Sequence, residues 1–583
     1  MSILLVGKTM KKTIIMLLLS VSAIGAGFAD DGGSRYIEDW SYGNIYVTEP
    51  NKEIALESEF LYVNQKRHTV RAFFDFKNLT AQKRKVPCAF PIVITIPYEF
   101  DGTQIVASDY RDVYNLTALD IAFGRKVQSE SFQAITAVPL EIDKKLRVIP
   151  YAEYKKQLDK FYREDAPYNK RKTIYEGVDI VLNGKKVPIT HVGIETSVVQ
   201  DSEMKIPEHW HKDTPVYNGE ITLKLHFYHE LEFPAFSSSV VDITYATDTD
   251  KGGKRGTVYK SVYDISTGGT WAGSIKNFVL LTDDEVTVHN SVAQFERKSL
   301  FGFGSYSYDD GIILCARNYK PSAHEYFEFT GYMFGEEMGW AFMQNREKQD
   351  FVRNISASSF LDGSFKITDE KSSSYKPECS FDGEFLNGWV EGAKGDGIGE
   401  WIEFTLTSTV FGPFMTNGLT RNYTDEQESW GEDSTVLSDI HDRKELTWAK
   451  NNRIKTMTLE NVKTHEKRKL NLVDLYAGFR LDDRDAETKW LSANANKNPC
   501  ILLPGTYRLS IDSVYKGTKW SDTVLGEVWF YDLGKTFGAI AADELKSGKP
   551  FITAEVEKLL FRFSDYTEGN VKNMEEAFSN LAR

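Results

Sequence analysis

The sequence predicts a mainly β protein that consists of two β-sandwich domains with a few short helices. Three observations lead to this fold class: short runs in which apolar and polar residues alternate, an aromatic content of 13%, and Gly, Asn and Asp clusters between the runs. A period of two is typical of strands, and aromatic side chains pack well on a pleated sheet. At 583 residues the chain is long enough for several domains.

The N-terminal segment has the residue order of a secretory signal peptide. Lys11 and Lys12 precede an apolar run from Ile14 to Ile24, and small residues follow as far as Ala29. The apolar run is too short to predict a membrane span, and an uncleaved N-terminal anchor is the alternative. We therefore expect residues 1–29 to be removed and the remainder to be periplasmic or extracellular, associated with the cell envelope, with no transmembrane segment.

The first predicted domain covers residues 30–345. Residues 70–76 and 221–227 alternate as strands do, and Asn183-Gly184 marks a turn. Residues 150–163 predict a helix, because Pro150 suits a first helical position and an apolar stripe follows at Tyr151, Tyr154, Leu158, Phe161 and Tyr162. A polar, unpatterned stretch at residues 344–350 predicts a domain boundary near residues 340–352.

The second predicted domain covers residues 352–532, and a helical tail follows at residues 533–583. Residues 401–406 alternate strictly and predict a strand. In the tail, helical spacing connects Val556, Leu559, Leu560 and Phe563. We expect this tail to pack back on a sandwich, and docking of a partner is the alternative.

Charge and cysteine content exclude several functions. The formal net charge is −14, so no basic excess exists to neutralise nucleic-acid phosphates. In an exported chain the four cysteines allow disulfides, and pairing within the domains would join Cys88 to Cys315 and Cys379 to Cys500. Buried free thiols are the equal alternative. Because no CxxC sequence occurs, the chain predicts neither a thiol-redox site nor a cysteine zinc site.

The C-terminal half resembles a known family of domains. The segments that carry the resemblance are YKPECSFDGEFLNGWVEGAKGDGIGEWIEF at 375–404, NNRIKTMTL at 451–459 and DSVYKGTKWSDTVLGEVWF at 512–530. They resemble the NADase-type glycan-binding domain, a discoidin-like (factor V/VIII type C) domain first named from the translocation region of an NAD-glycohydrolase. The resemblance implies a jelly-roll sandwich and a carbohydrate-binding role, without glycohydrolase activity. The acidic stretch 430–447 departs from the family pattern.

Within that resemblance, two loops supply the candidate ligand-binding residues. The loop at 391–399 has four glycines, which let the backbone turn sharply or approach a ligand. A second loop spans residues 515–522. Charged side chains could hydrogen-bond sugar hydroxyls, and tryptophans could offer apolar faces. The alternatives are that Trp389 is a core residue and that Asp382 fastens its loop. The candidates are Asp382, Trp389, Glu391, Lys394, Asp396, Tyr515, Lys519, Trp520 and Asp522.

The N-terminal half resembles a family of exported bacterial proteins of unknown function. The resemblance spans about residues 37–295 and depends on short segments such as HELEFPAFSSSVVDITY at 229–245 and TGGTWAGSIKNFVL at 267–280. It implies a strand-built fold and export. Because this family has no assigned activity, it implies nothing about chemistry.

Catalytic patterns are few, so we predict a non-catalytic protein without a cofactor. The strongest metal or acid–base candidate is Glu208-His209-Trp210-His211-Lys212-Asp213, for which a polar loop is the alternative. Acidic clusters at 283–285 and 309–310 suit either structural calcium or solvated turns. The expected function is an envelope protein that binds a glycan or cell-surface polysaccharide. The alternatives are an exported glycan- or peptide-acting hydrolase and a structural protein that contacts other envelope proteins.

Overall fold

The computed structural model describes residues 39–43, 45–47, 51–64, 69–100, 104–106, 137–139, 146–164, 178–205, 217–246, 257–282, 285–300, 311–333, 349–366, 372–383, 387–419, 447–472, 474 and 499–564. Within these residues the chain is mainly β with few helices, which confirms the predicted fold class. The predicted signal peptide lies outside the described residues, as do most of the predicted boundary near residues 340–352 and the 430–447 stretch.

The N-terminal half forms two large sheets and one helix. In chain order its elements are β1 (Asp39–Gly43), β2 (Tyr46–Val47), β3 (Ile54–Asn64), β4 (Thr69–Asn78), β5 (Arg84–Phe100), β6 (Gln104–Val106), β7 (Ala137–Pro139), β8 (Arg147–Pro150), α1 (Tyr151–Glu164), β9 (Asp179–Leu182), β10 (Lys185–Lys186), β11 (His191–Lys205), β12 (Tyr217–Phe233), β13 (Ser238–Ala246), β14 (Thr257–Asp264), β15 (Ile275–Thr282), β16 (Glu285–His289), β17 (Glu296–Ser299), β18 (Ile312–Tyr319) and β19 (Tyr326–Met333).

The two N-terminal sheets pack face to face around one apolar core. Among the described residues, the first sheet has the order β16-β19-β14-β1-β5-β12-β11-β8, and the second has the order β10-β9-β13-β4-β3-β15-β18-β17. Phe90 and Phe227 from the first sheet meet Leu61 and Phe74 from the second in this core. The predicted strand at 70–76 is confirmed as part of β4, with Val70, Ala72, Phe74 and Phe76 all buried.

Local sequence signals explain the turn and the helix of this half. Asn183 and Gly184 both have positive φ, as a two-residue hairpin between β9 and β10 requires. Helix α1 begins at Tyr151, directly after Pro150, and buries Tyr154 and Leu158 against the core as the apolar stripe predicts. A third predicted strand, residues 221–227, lies inside the long strand β12.

The C-terminal half contains a nine-stranded sheet within the described residues, with the path β20-β24-β29-β26-β30-β25-β28. Its elements are β20 (Val352–Ala357), β21 (Ser364–Lys366), β22 (Ser372–Ser374), β23 (Trp389–Val390), β24 (Trp401–Leu406), β25 (Val410–Asn417), α2 (Thr447–Lys450), β26 (Asn452–Asn461), β27 (Lys467–Asn471), β28 (Cys500–Leu502), β29 (Gly505–Tyr515), β30 (Thr523–Asp532), α3 (Gly534–Ser547) and α4 (Phe551–Ser564). Its core contains Phe404, Met457, Leu509 and Val528.

Helices α3 and α4 join the two halves through an apolar cluster, here called the junction cluster. From the N-terminal half, Phe60 and Phe73 enter it, with their rings stacked 6.0 Å apart. From the C-terminal sheet it takes Phe411, Phe414, Ile501 and Tyr531. The helices supply Phe537, Ile540, Ala541, Ile552, Val556, Leu559 and Leu560. The described part of the predicted tail, as far as Ser564, therefore packs back on both halves of the chain.

Polar contacts surround the junction cluster. The Glu296 carboxylate from β17 accepts the backbone N–H groups of Lys535 and Thr536 at the start of α3, where the helix dipole favours a negative charge. These hydrogen bonds hold the pKa of Glu296 below its ordinary value, against the opposing effect of burial. Lys298 also pairs with Asp532 at 3.0 Å, and Arg317 pairs with Asp543. Helix α3 is thus fixed to the N-terminal sheet by charge as well as by apolar packing.

The four cysteines are all buried free thiols in the structure. This outcome matches the free-thiol alternative, and the pairings Cys88–Cys315 and Cys379–Cys500 are not formed. None of the helices in the described part of the chain has the length and apolar character needed to span a bilayer.

Shortening a side chain in the junction cluster should destabilise both halves. Ile540 is fully buried in α3, so Ile540→Ala removes apolar contacts and leaves a cavity; we expect a loss of about 2–5 kcal/mol in the free energy of unfolding. The matched control is Leu545→Ala in the same helix, where the side chain is 49% exposed. Urea denaturation followed by fluorescence measures both variants, and equal effects of the two would contradict the role of the cluster.

The carboxyl group of Asp75, on β4, should make the stability of the folded chain depend on pH. Burial is the main cause that raises its pKa to about 6, and its Oδ1 atom has no hydrogen-bond partner among the described residues. Because the folded chain holds this proton more tightly than the unfolded chain, the contribution of Asp75 to stability is full below its ordinary pKa of 3.8 and is lost as the pH rises through about 6.

Asp75→Asn should therefore stabilise the protein by about 1–2 kcal/mol at pH 7 and leave it unchanged at pH 4. Asp512→Asn, at an exposed position on β29, is the control. Denaturant titrations at the two pH values measure the difference, and a stabilisation of the same size at pH 4 would contradict the assignment to this proton.

Candidate functional site

Two loops meet at one end of the C-terminal sheet. The glycine loop comprises residues 391–400, between β23 and β24, and the tryptophan loop comprises residues 515–523, between β29 and β30. The strand pairs Trp389–Leu525 and Val390–Val524 bring the start of the glycine loop beside the end of the tryptophan loop. Seven of the nine sequence-predicted site residues lie in these two loops.

A buried carboxylate fastens the two loops together. Glu391 has no exposed area, and its carboxylate accepts the N–H of Ala393 at 2.7 Å and the N–H of Thr523 at 3.1 Å. Burial raises the pKa of Glu391, while these two backbone donors act in the opposite direction. The carboxylate reaches this position because Gly397 has φ of 64° and no Cβ, which would lie 2.5 Å from Cδ of Glu391. Glu391 is therefore a structural residue and offers nothing to a ligand.

Asn452, at the start of β26, forms the second connection. Its Nδ2 donates to Asp396 Oδ1 at 3.0 Å and to the Ser521 carbonyl at 2.7 Å, while its Oδ1 accepts the N–H of Gly517 at 2.7 Å. Asp396 also forms an ion pair with Lys516, and these partners hold the pKa of Asp396 below its ordinary value. Three hydrogen bonds of one buried side chain thus set the spacing of both loops.

The tryptophan loop rests on α2, which holds Trp520 at the surface. The N–H of Thr518 donates to the Ala449 carbonyl at 2.9 Å, and the N–H of Trp520 donates to the Lys450 carbonyl at 2.8 Å. The Trp520 side chain remains 37% exposed, and the Lys519 ammonium lies 4.7 Å from the centre of one of its rings. An exposed aromatic ring on a backbone fixed by hydrogen bonds is a preformed surface for a flat apolar ligand face.

The remaining loop residues divide into fastened and exposed side chains. Tyr515 is half-buried, and its hydroxyl donates to the Leu472 carbonyl at 3.3 Å. Asp522 is half-buried beside Glu391, and its charge contributes to the raised pKa of that residue. Lys394 projects into solvent from the glycine loop, where Ile398 is also 61% exposed. The exposed charged and apolar side chains at this end are therefore Lys394, Ile398, Lys516, Lys519 and Trp520, of which Lys516 is paired with Asp396.

Two sequence-predicted residues lie apart from this surface. Trp389 is fully buried in the core, where its indole N–H donates to the Ser359 carbonyl at 2.8 Å. Asp382 accepts a hydrogen bond from Asn387 in a turn whose Gly383 N–H binds Glu527. Glu527 follows Thr523 by four strand residues, a distance of about 13 Å along β30. Trp389 is thus a core residue, and Asp382 is a fastener of a different loop.

The sequence-based search missed Asn452, Lys516 and Ile398. Asn452 belongs to the NNRIK segment that carries the family resemblance, but an asparagine before a strand is ordinarily assigned to a turn. The role of Asn452 can be recognised only in the folded structure, where its side chain lies between the two loops. Ile398, an apolar residue between two glycines in a polar loop, is a signal that could have been used from the sequence.

A second polar group, on the N-terminal sheet, has some features of an acid–base site. The Tyr46 hydroxyl lies 2.8 Å from His226 Nδ1, and Glu195 lies 3.8 Å from His226 Nε2. However, burial raises the pKa of Tyr46, so its hydroxyl keeps its proton and is not activated as a nucleophile. His229, on the opposite face of β12, has its pKa lowered to about 4 by burial and stays neutral.

The metal candidates from the sequence find no support in the described part of the chain. No group of three or more His, Cys, Asp or Glu side chains there could hold a metal ion. The cluster Glu208, His209, His211 and Asp213 lies outside the described residues. So do Asp283-Asp284 and Asp309-Asp310.

Comparison with known protein families identifies part of the C-terminal half. Residues 349–438 match the family described as NAD glycohydrolase translocation F5/8 type C domain, which confirms the resemblance found in the sequence. No curated protein sequence matches the chain. Among solved structures, the chain is similar at 11% identity and a TM-score of 0.23 to a Legionella pneumophila protein provisionally assigned to nutrient binding, over 51% of this chain and 71% of that one.

Removal of the Asn452 side chain should loosen both loops at once. Asn452→Ala leaves three polar groups without their partner, so we expect a loss of about 1–3 kcal/mol in stability and faster amide hydrogen exchange in residues 391–400 and 515–523. Asn461→Ala, at the other end of β26, is the matched control because Asn461 caps a separate turn at Lys463 and Thr464. Unchanged exchange in the two loops of Asn452→Ala would show that Asn452 does not connect them.

Proposed function

We propose that this chain, whose residues 349–438 match the F5/8 type C domain family, is an exported, non-catalytic protein of the cell envelope that binds carbohydrate. The glycine loop and the tryptophan loop form the binding surface. The observation that carries the proposal is Trp520, held partly exposed by loops that Glu391 and Asn452 fasten together. Domains of this type typically bind carbohydrate, which supports the same conclusion.

The chemistry of a sugar fits this surface. A pyranose ring has one face of C–H groups that packs on an indole ring, and its hydroxyls accept hydrogen bonds from ammonium groups. Trp520 and Ile398 supply apolar contact, and Lys394 and Lys519 supply donors. Because the surface is shallow, one sugar buries little area, so we expect weak binding to a single unit and tighter binding to a polymer.

The charged residues of this end support a binding role over a catalytic one. Glycoside hydrolysis usually needs two carboxyl groups that are free to contact the substrate. Here Glu391 is buried against backbone N–H groups, and Asp396 is occupied by Lys516 and Asn452.

The proposal of export depends on the signal-peptide pattern at residues 10–29, and the envelope location follows from export together with a polysaccharide ligand.

Replacement of Trp520 should abolish carbohydrate binding without unfolding the chain. The full mature chain, rather than residues 352–583 alone, is needed on a glycan array because α3 and α4 pack on the N-terminal sheet. Trp520→Ala should weaken binding of the array ligands by at least about tenfold. Phe236→Ala, at a 67% exposed turn of the N-terminal half, is the control. A folded wild-type chain that binds no glycan would refute the proposed function.

A further inference from the structure

At the binding end, the positively charged side chains lie at the surface and the carboxylates lie deeper. Within the glycine loop, α2 and the tryptophan loop, the exposed charged side chains are all lysines: Lys394, Lys516 and Lys519. The carboxylates of the same segments lie deeper, since Glu391 is buried and Asp396, Glu400 and Asp522 are half-buried. Among the described residues of these three segments, positive charge is therefore the outermost charge, although the whole chain has a net charge of −14.

The deeper carboxylates are also largely occupied. Glu391 accepts two backbone N–H groups, and Glu400 accepts the hydroxyls of Ser358 and Ser359 at 2.5 Å each. Asp396 is bound by Lys516 and Asn452, yet the Lys516 side chain remains 67% exposed. Asp512, exposed on the adjoining strand, accepts from the Thr458 hydroxyl.

Two of the lysines have no carboxylate partner among the residues that the structure describes. Lys394 lies two residues before Asp396, on the exposed part of the glycine loop, and makes no ion pair there. Lys519 places its ammonium over the Trp520 ring, 4.7 Å from the ring centre. Such a cation–π contact is a weak substitute for an anionic partner at an exposed site.

From this arrangement we infer that the ligand is an anionic polysaccharide, one that bears carboxylate or sulfate groups along its chain. The inference depends on the proposed function and specifies its ligand class. A neutral sugar that stacks on Trp520 must displace the Lys519 ammonium and offers it only a hydrogen bond to an uncharged hydroxyl in return. An anionic sugar offers the ammonium an ion pair, so the ring becomes free for stacking while the lysine gains a stronger partner. Lys394 then contacts a second charge on the polymer.

Matched pairs of polymers test the ligand class. The full mature chain is titrated with polygalacturonate and its methyl ester, and with dextran sulfate and dextran, so that each pair differs in charge but keeps its backbone sugar. We expect the charged member of at least one pair to bind about tenfold or more tightly than its neutral partner, and to weaken when salt is raised from about 50 to 300 mM. Which pair responds distinguishes carboxylate from sulfate recognition.

Lys519→Ala separates the two ligand classes within the site. It removes the ion-pair donor and uncovers the Trp520 ring, so affinity for the anionic polymer should fall about fivefold. Affinity for any neutral glycan should stay equal or rise. Lys394→Ala should lower anionic binding similarly. The control is Lys469→Ala on β27, an exposed lysine whose strand partner Thr458 lies six residues, or about 20 Å, from Asn452.

The outcomes distinguish failure of the inference from failure of the proposed function. If charged and neutral polymers bind equally, Trp520→Ala weakens binding and Lys519→Ala does not, the inference of an anionic ligand is overturned. The proposal of carbohydrate binding is then retained. An equal loss in Lys469→Ala would also overturn it, because the effect would then be general electrostatic attraction. If no polymer and no array glycan binds the folded chain, both proposals fail together.

Discussion

The apolar contact of α3 and α4 with both halves of the chain is the interaction on which the architecture depends. Strand β4 is buried on both faces: Phe74 faces the core of the N-terminal sandwich, and its neighbour Phe73 faces the helices, where its ring lies 6.4 Å from that of Phe551. Without the helices, the Phe73 face of the sheet would lie open to water. The N-terminal sandwich is therefore completed by residues that follow the C-terminal sheet in the chain.

The binding end obeys a different constraint, which is the satisfaction of buried polar groups. A loop that exposes a tryptophan and several lysines must still be held in one conformation, and apolar packing is scarce at such a surface. Glu391 and Asn452 supply that order through hydrogen bonds to backbone groups of both loops. Because Glu391 and Asn452 hold the loops in place, outer side chains such as Lys394 and Trp520 are not needed for loop conformation and are available to contact a ligand.

The sequence predicted the features that depend on local pattern. The alternation at 70–76 and 401–406 identified true strands, the Asn183-Gly184 dipeptide identified a hairpin, and residues 150–163 identified a helix. The pattern did not show that β4 has a second buried face, since Phe73 and Asp75 on that face differ in polarity. The glycine loop and the tryptophan loop were predicted as sites because a family resemblance joined them.

The failures in the site have one physical cause. Residue type alone does not distinguish a carboxylate that faces water from one that binds backbone N–H groups, so Glu391 was predicted as a ligand-binding residue. Trp389 was also a candidate, with a core position as the alternative. Burial depends on contacts distant in the sequence, such as that of Glu391 with Thr523. The same limit hid Asn452, whose three partners lie in segments up to 69 residues away.

The position of α3 and α4 late in the chain has a consequence for biogenesis. During synthesis Phe60 and Phe73, which form an aromatic face, are made long before the helices that cover them. Until then the nascent protein exposes an apolar surface that holding chaperones can bind. A ribosome that stops early would release a product with this surface permanently bare, a feature that quality-control proteases can use to distinguish truncated from finished chains.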